Sequence, residues 1–331
     1  MNAYLGLDIG GTKSALVLAD RQAAVTDRIQ FPTQPERGAD RVISDYLKAL
    51  ETLCTRNRIS FKEVFALGVS CGGPLDTGRG LILSPPNLPG WNKVPILDRL
   101  QAATGIAAYL QNDANAGALA EWRFGAGRDC DHMVFLTCGT GFGAGLILNG
   151  RLYSGAVDMA GEIGHVRVTG EGPVGYGKIG SLEGFCSGGG IAQLARRELL
   201  RQHQLGRSSA LSPRWETIDA VTAHTVCKAA EAGDSLAADI LALSGRYLGH
   251  ALATLIDLLN PERIVIGSIF ARAEAFMRPA AMAVLESECL PVSLAACRIL
   301  PAALGESLGD LAAIATAVDG HRRPKEPSTS H

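Results

Sequence analysis

The sequence lacks the motifs that mark several large classes of enzyme. It has no G-x-x-x-x-G-K-[ST] motif, which excludes a P-loop, and neither H-E-x-x-H nor G-x-S-x-G occurs. One glycine-rich stretch, GTGFGAG, differs from G-x-G-x-x-G, and its flanking residues favour a hairpin over a strand that opens into a helix. A dinucleotide site of the Rossmann type is therefore not expected.

A strong net charge and paired cysteines are also absent. The net charge of −2 gives no indication of a nucleic-acid partner or an anionic membrane surface. The eight cysteines include no C-x-x-C pair, which fits free thiols in a cytoplasmic enzyme better than disulfides or a zinc site. The N-terminus lacks a basic region and Asp8 interrupts the first apolar run, so we expect no signal peptide and a cytoplasmic location.

The apolar content is high enough for a sizeable core. Of the 331 residues 47% are hydrophobic and 19% charged, and this length favours two domains. Strand and helix patterns alternate along the chain, which predicts an α/β fold. We expect a smaller N-terminal domain at 1–115, completed by a helix near 305–318, a larger domain at 116–304, and a disordered tail at 319–331.

Two stretches share one pattern, an apolar run, a glycine turn and a second apolar run. They read YLGLDIGGTKSALVLAD from residue 4 and HMVFLTCGTGFGAGLILNG from residue 132, with Thr12 and Thr140 at corresponding places. The repeat predicts a duplicated domain with a cleft between the copies; the alternative is two ordinary hairpins with glycine turns. Backbone amides at such turns suit phosphate groups, and Asp8 is placed to hold Mg²⁺ through water molecules.

Asp113 lies in the segment NDANAGALAEW, where a predicted strand ends and a helix begins. This is the usual ligand-facing edge of an α/β sheet, so the carboxylate is a candidate general base. Asn112 or Asp113 is also a candidate cap of this helix. The two roles are compatible because a helix N-terminus stabilises an ionised carboxylate. Acids, glycine turns and a base are together what phosphoryl transfer requires.

Four segments carry a specific resemblance. LGLDIGGTKSALVL, QNDANAGALAEW, LTCGTGFGAGLILNGRLYSG and AGEIGHVRV, in this order, resemble the ROK family of sugar kinases in the actin/hexokinase superfamily, over about residues 3 to 318. The resemblance implies two α/β domains of ribonuclease H-like fold around a central cleft, and ATP with Mg²⁺ as the donor. It further implies a hexose or N-acetylhexosamine acceptor, usually phosphorylated at the 6-hydroxyl, and a homodimer or homotetramer.

The resemblance also implies a role for each matching residue. Asp113 is the general base, and Asn112 holds sugar hydroxyls. The remaining sugar-side residues are Glu162, His165 and Glu183, with Asn87 and Gly73 as further candidates. The residues on the nucleotide side are Asp8, Gly10, Gly11, Thr12, Thr140, Gly141 and Gly267.

The chain departs from the family pattern after His165. Members of the family typically carry C-x-C-G-x-x-G-C-x-E there, a structural zinc site that this histidine completes. This chain reads VGYGKIGSLE, with Val174, Tyr176 and Ser181 in place of the three cysteines. Valine offers no metal ligand, so we predict no structural zinc. Tyr176 or Ser181 is then expected to orient the His165 ring.

A second departure lies on the nucleotide side. The family usually has three glycines after the C-terminal strand, near the adenosine. Here IVIGSIF keeps Gly267 but has Ser268 and Ile269, and a β-branched residue is not expected to adopt a positive φ. The sequence therefore does not define the residues that contact the adenosine.

Three functions remain for comparison. The first is an ATP-dependent sugar kinase, with glucose as the expected acceptor and N-acetylmannosamine as the alternative. The second is a ROK-type transcriptional repressor, which would carry an N-terminal helix-turn-helix domain; the first strand begins near residue 3, so we expect none. The third is a sugar-binding relative without catalysis. The presence of Asp8, Asp113 and both glycine turns favours the kinase.

Overall fold

A computed structural model of the chain describes residues 2–212 and 214–322. These residues form two compact units. The first comprises 2–125, 154–158 and 306–322, and the second comprises 126–153 and the described part of 159–305. The break lies after Gly125, so the helix that follows Asn112 belongs wholly to the first unit and is not divided at residue 115.

The described residues up to Gly125 form eight strands and three α-helices. In chain order they are β1 (Ala3–Ile9), β2 (Lys13–Ala19), β3 (Val25–Pro32), α1 (Ala39–Arg56), β4 (Val64–Cys71), β5 (Leu75–Asp76), β6 (Leu81–Leu83), β7 (Asn92–Pro95), α2 (Ile96–Thr104), β8 (Ala108–Asn112) and α3 (Asp113–Phe124). Strand β3, with its alternation of charged and apolar residues, is an addition to the hairpin that the sequence predicts.

The remaining elements include longer helices. They are β9 (Met133–Cys138), β10 (Phe142–Leu148), β11 (Arg151–Tyr153), β12 (Val174–Gly175), β13 (Lys178–Ile179), α4 (Leu182–Cys186), α5 (Gly188–Gln204), α6 (Ala223–Glu231), α7 (Ser235–Leu259), β14 (Arg263–Ile266), α8 (Ile269–Glu288), α9 (Pro291–Ala296), β15 (Arg298–Pro301) and α10 (Leu308–Arg322). Helix α10 takes in residues 319–322 of the expected tail, and the rest of that tail lies outside the described residues. No helix among the described residues is both long and apolar enough to span a membrane.

The two units contain sheets of the same design. The first sheet has the strand order β3-β2-β1-β4-β8, and the second has the order β11-β10-β9-β14-β15. In both, the first two pairings are antiparallel and the last two are parallel. The hairpins that the sequence marks as a repeat are β1–β2 and β9–β10, the corresponding strands of the two sheets. The α/β fold with an internal repeat is therefore confirmed.

The first sheet is buried on both faces. On one face Leu5 and Leu7 pack with the apolar side of α1, and on the other Tyr4 packs with residues of α10. Helix α10 approaches the sheet so closely that a Cβ at Gly68 would lie 2.0 Å from the carbonyl oxygen of Ala313. Only glycine fits at that point of β4, because any side chain would push the helix off the sheet.

In the second unit α7 and α8 form the main helical layer. Gly245 on α7 lies against the backbone of Met277 on α8, where a Cβ would be 2.3 Å from the carbonyl oxygen. Helix α7 begins with the Asp234 side chain accepting a hydrogen bond from the backbone N–H of Ala237, and it ends at Asn260 in the left-handed conformation. These terminal residues confirm the helix that the sequence predicts at about 234–259.

Candidate active site

The carboxyl ends of three parallel strands gather the acidic residues of the first unit. Strands β1, β4 and β8 lie side by side in parallel, with Asp8 opposite Ser70 and Cys71 opposite Asn112. Asp8 is one residue from the end of β1, and Asp113 follows directly after β8. Because ligands bind at the carboxyl ends of strands in α/β sheets, this edge is where the site is expected.

Asp8 lies in a position that disfavours its negative charge. Burial is the main cause, and the nearby carboxylates of Asp113 and Asp310 add to it, so the pKa of Asp8 rises from 3.8 to about 6. The Ser70 hydroxyl donates a hydrogen bond to the carboxylate, and Lys13 lies close enough to act in the same direction; both lower the pKa, but less than burial raises it. A carboxylate in these surroundings is suited to a bound cation.

The glycine turn between β1 and β2 is held in shape from three sides. The N–H of Gly10 donates to the carbonyl of Lys13 at 3.0 Å, and the Thr33 hydroxyl donates to the carbonyl of Gly10 at 2.6 Å. A Cβ at Gly11 would lie 2.7 Å from the carbonyl oxygen of Asn87. Thr12 at the end of the turn is exposed. The two glycines thus form a fixed stretch of backbone without side chains close to Asp8.

Asn112 and Asp113 together form the start of α3. The backbone N–H of Ala114 donates to the Asn112 side-chain oxygen at 2.9 Å and to an Asp113 carboxylate oxygen at 2.8 Å. The Asp113 side chain is exposed, and it has the helix N-terminus behind it. Of the two candidate caps Asn112 is the N-cap, and Asp113 is the first helical residue, where the helix dipole favours an ionised carboxylate.

Two further predicted residues adjoin the same edge. The Asn87 amide faces Gly72, where a Cβ would be 3.2 Å from its nitrogen, and a Cβ at Gly73 would be 3.0 Å from the side-chain nitrogen of Asn112. Since Asn87 also adjoins Gly11, the loop that carries it connects the glycine turn with the Gly72–Gly73 segment beside Asn112. The structure thus brings together every site residue that the sequence predicts in the first unit.

The second unit has a corresponding turn between β9 and β10. The N–H of Gly139 donates to the carbonyl of Gly141 at 3.1 Å, which closes the turn around Thr140. The N–H of Gly188, the first residue of α5, donates to the carbonyl of Gly139 at 2.8 Å. Two backbone hydrogen bonds therefore fix the shape of this turn, and its role as a phosphate site stays a prediction.

Glu183 reaches the same turn from α4. Its carboxylate accepts a hydrogen bond from the N–H of Phe142 at 3.2 Å, and the same oxygen would lie 3.1 Å from a Cβ at Gly141. Gly164 packs against the Glu183 side chain and against the carbonyl of Phe142, where a Cβ would be 2.0 Å away. The glycine thus allows the segment of Glu162 and His165 to lie directly beside Glu183.

Glu162 and His165 occupy one turn of 3₁₀-helix and face each other. The His165 Nε2 atom is 4.0 Å from a carboxylate oxygen of Glu162, and both side chains are partly exposed. The pair becomes an ion pair only when the imidazole is protonated. The structure therefore groups Glu162, His165 and Glu183 in the second unit.

The two residues expected to orient His165 have different roles. The Tyr176 ring meets the His165 ring edge-on, with centroids 5.1 Å apart. Ser181 instead caps α4, where its hydroxyl oxygen accepts from the N–H of Gly184 at 3.2 Å. Of the two candidates, only Tyr176 contacts the imidazole. No three His, Cys, Asp or Glu side chains in the described part of the chain are grouped as metal ligands. The absence of zinc stays a prediction.

Gly267 and Ser268 lie at the carboxyl end of β14, next to the turn of Thr140. The N–H of Gly267 donates to the carbonyl of Leu136 in β9 at 2.9 Å. Ser268 adopts φ 56° and ψ −116°, a backbone conformation that glycine favours, whereas Ile269 begins α8. The positive φ that the family's glycines would supply is thus adopted here by a serine.

Two contributors were missed from the sequence. The first is Gly309 at the start of α10, where a Cβ would lie 2.5 Å from a carboxylate oxygen of Asp8. The second is Ser70, the hydrogen-bond donor to that carboxylate. The pairing of Ser70 with Asp8 follows from strand register and that of Gly309 from tertiary packing, so no local sequence signal identifies either.

A cavity of about 780 Å³ in the second unit lies apart from these residues. Side chains of α4, α5 and α7 line it, among them Phe185 and Tyr247, whose rings stack at 3.5 Å. None of the predicted site residues is in its wall. We do not assign it to the site.

Comparison with known proteins places the chain in a family. The model of the ROK family matches residues 4–319. A glucokinase of Halalkalibacterium halodurans is 33% identical over 279 residues, which are 83% of each chain. The class of protein is defined by its architecture, two related α/β units that each have a glycine hairpin at the carboxyl end of their parallel strands. The chain belongs to the ROK family.

Two further relatives show the range within the family. A ROK glucokinase from Streptomyces griseus, solved in complex with glucose and AMPPNP, is 27% identical with a TM-score of 0.76, over 96% of this chain and 100% of that one. The DNA-binding transcriptional dual regulator NagC of Escherichia coli is 30% identical over 86% of this chain and 68% of the regulator. Both enzymes and regulators are therefore similar to this chain.

Proposed function

We propose that this chain is an ATP-dependent sugar kinase that phosphorylates the 6-hydroxyl of a hexose, with glucose as the acceptor. The observation that carries this proposal is the placement of Asp8 and Asp113 at the same sheet edge as a rigid glycine turn. The similarity to glucokinases at 33% identity supports the choice of sugar. The solved glucokinase complex with AMPPNP supports ATP as the donor.

Asp113 is the proposed general base. The acceptor oxygen forms a bond to the γ-phosphorus while the bond from that phosphorus to the ADP oxygen breaks, and the hydroxyl proton passes to the Asp113 carboxylate. Its side chain is exposed at the first turn of α3, so the carboxylate is accessible to an acceptor hydroxyl.

Asp8 is the proposed holder of Mg²⁺. Its carboxylate is buried near the carboxylates of Asp113 and Asp310, so a divalent ion would stabilise its charged form. Mg²⁺ usually retains several water molecules and takes its other ligands from substrate phosphates, so one carboxylate is a sufficient protein contribution. When bound, the ion would neutralise charge on the transferred phosphoryl group.

We assign the remaining predicted residues either to the sugar or to the nucleotide. We assign sugar hydroxyls to Asn112, Asn87, Gly73, Glu162, His165 and Glu183. We assign nucleotide contacts to Gly10, Gly11, Thr12, Thr140, Gly141 and Gly267. The support is geometric, because within each unit these residues lie on adjoining turns.

The test is ADP release from ATP and Mg²⁺ against glucose, mannose, fructose, allose, N-acetylglucosamine and N-acetylmannosamine. Preference for glucose supports the proposal, whereas preference for N-acetylmannosamine would keep the kinase and change its acceptor. Sugar binding without turnover of any sugar would refute the kinase and favour a regulator, the alternative that similarity to NagC supports. As a check on the base, Asp113→Asn is expected to keep sugar binding and lose about 10²–10⁴-fold in kcat.

A further inference from the structure

The short hairpin β12–β13 contains a tyrosine in a backbone conformation that tyrosine rarely adopts. Its two-residue loop is Tyr176 with φ 44° and Gly177 with φ 75°, and asparagine or glycine is the usual choice at such positions. The Tyr176 side chain is 68% exposed, so burial of its ring does not account for its presence. A bulky residue kept in a strained position indicates a role for the side chain.

One such role is visible in the contact with His165. The two rings meet at an interplanar angle of 80° with centroids 5.1 Å apart, which is the favourable edge-to-face arrangement of aromatic groups. On its Nε2 atom the imidazole faces Glu162. The orientation of the His165 ring is therefore restricted by the Glu162 carboxylate near Nε2 and by the Tyr176 ring at its edge or face.

The same hairpin also holds the backbone of His165. The Lys178 ammonium group donates a hydrogen bond to the His165 carbonyl at 2.7 Å. Because the donor is charged, this bond is stronger than a neutral one. Side chain and main chain of the histidine are thus both contacted by residues of one small element.

The hairpin is itself fixed in place by neighbouring segments. The Gln193 side chain of α5 accepts from the N–H of Val174 at 3.0 Å and donates to the carbonyl of Val174 at 2.9 Å. After the hairpin, the carbonyl of Gly180 accepts from the N–H of Val168 at 2.9 Å. The contacts to His165 therefore come from an element whose base is anchored on two sides.

We propose that Tyr176 and Lys178 are positioning residues that hold His165 in the orientation needed to bind the acceptor sugar. This inference rests on the proposed function in one respect, namely that His165 contacts the sugar. Neither residue touches the reacting atoms, so their loss should affect sugar affinity more than the rate of phosphoryl transfer. Contacts of this kind correspond to roughly a three- to tenfold change in affinity.

The first test compares three substitutions of Tyr176 with a control on the same hairpin. Asparagine tolerates a positive φ better than tyrosine, so Tyr176→Asn is expected to keep or raise Tm. Because it removes the ring, it is also expected to raise the KM for glucose about three- to tenfold, with kcat and the KM for ATP little changed. Tyr176→Ala should raise the KM for glucose similarly. Tyr176→Phe keeps the ring and should have the wild-type KM for glucose. Ile179→Ala truncates another exposed apolar residue of the hairpin and serves as the control.

Lys178 is tested by Lys178→Met, which keeps the aliphatic stem and removes the charged donor. It is expected to raise the KM for glucose, and Lys178→Arg should recover part of the loss. If Tyr176→Asn and Lys178→Met both leave the KM for glucose unchanged in an active enzyme, the proposal is overturned while the kinase assignment stands.

A second readout separates this proposal from the proposed function. The ¹H and ¹³C signals of the His165 imidazole, assigned with His165→Gln, are recorded without sugar or nucleotide in the wild type, Tyr176→Phe and Tyr176→Asn. The tyrosine ring current should shift the imidazole signal in the first two proteins and not in the third. Should the wild type phosphorylate no sugar, this readout still decides whether the hairpin holds His165. Identical signals in all three proteins would overturn the inference.

Discussion

Asp8→Asn makes the sharpest test of the electrostatics of the site. Burial and the carboxylates of Asp113 and Asp310 raise the pKa of Asp8 from 3.8 to about 6. Between these values the folded protein binds more protons at this group than the unfolded chain does. The wild type therefore loses stability as pH rises through this window, and the loss is complete above about pH 6. Asparagine cannot ionise, so the variant avoids this loss.

The magnitude follows from the size of the shift. A difference of roughly two pKa units corresponds to about 3 kcal/mol, which is the expected advantage of Asp8→Asn at pH 7.5. At pH 5, where folded Asp8 is largely protonated, the same relation gives about 1.6 kcal/mol. The expected change between the two pH values is thus about 1.4 kcal/mol. The Ser70 hydroxyl remains able to donate to an amide oxygen at residue 8, which limits the structural change.

The assay is urea unfolding of the ligand-free proteins at pH 5.0 and 7.5 in the presence of a chelator. Exposed Asp98 on α2 provides the control Asp98→Asn, a charge-to-amide change away from the site. Equal free energies of unfolding for wild type and Asp8→Asn at pH 7.5 would refute the reasoning. With Mg²⁺ and a nucleotide added, the order should reverse, because only the wild type is expected to be stabilised by the complex.

Three further predictions concern other positions. Gly309→Ala would place a Cβ 2.5 Å from the Asp8 carboxylate, so the KM for ATP with Mg²⁺ should rise about tenfold or more in steady-state assays. Ser268→Gly should relieve the backbone strain at φ 56° and raise the free energy of unfolding by about 1 kcal/mol, and Ser268→Ala should not. Burial raises the pKa of Cys138 and of Cys297 to about 12, so peptide mapping after treatment with a thiol reagent at pH 8 should find both unreacted until the protein unfolds.

The glycine turns and the two acids of the first unit could be predicted because their signals are local. An apolar run that stops at a glycine turn fixes the end of a strand, and the ends of parallel strands share one edge of a sheet. Asp8 and Asp113 were found in this way. The contact of Tyr176 with His165 was expected only as one of two possibilities, and the structure selects it.

What could not be predicted depends on packing between distant parts of the chain. Gly309 lies next to Asp8 only because α10 packs on the first sheet, and an alanine-rich helix gives no hint of which of its residues meets a carboxylate. Strand β3 was not predicted because Asp27 interrupts the apolar alternation of VTDRIQFP on its less exposed face, and its strand state depends on pairing with β2. The sequence shows Ser268 as a departure from the family pattern, but its positive φ is visible only in the structure.

The position of α10 also has a consequence for biosynthesis. This helix comes from the far end of the chain, yet it covers one face of the sheet that the first residues form. A ribosome-bound chain that has released everything up to residue 305 therefore still has an apolar sheet face without its covering helix. The first unit can complete its core only after the second has been synthesised, so its folding depends on a contact between residues far apart in the chain.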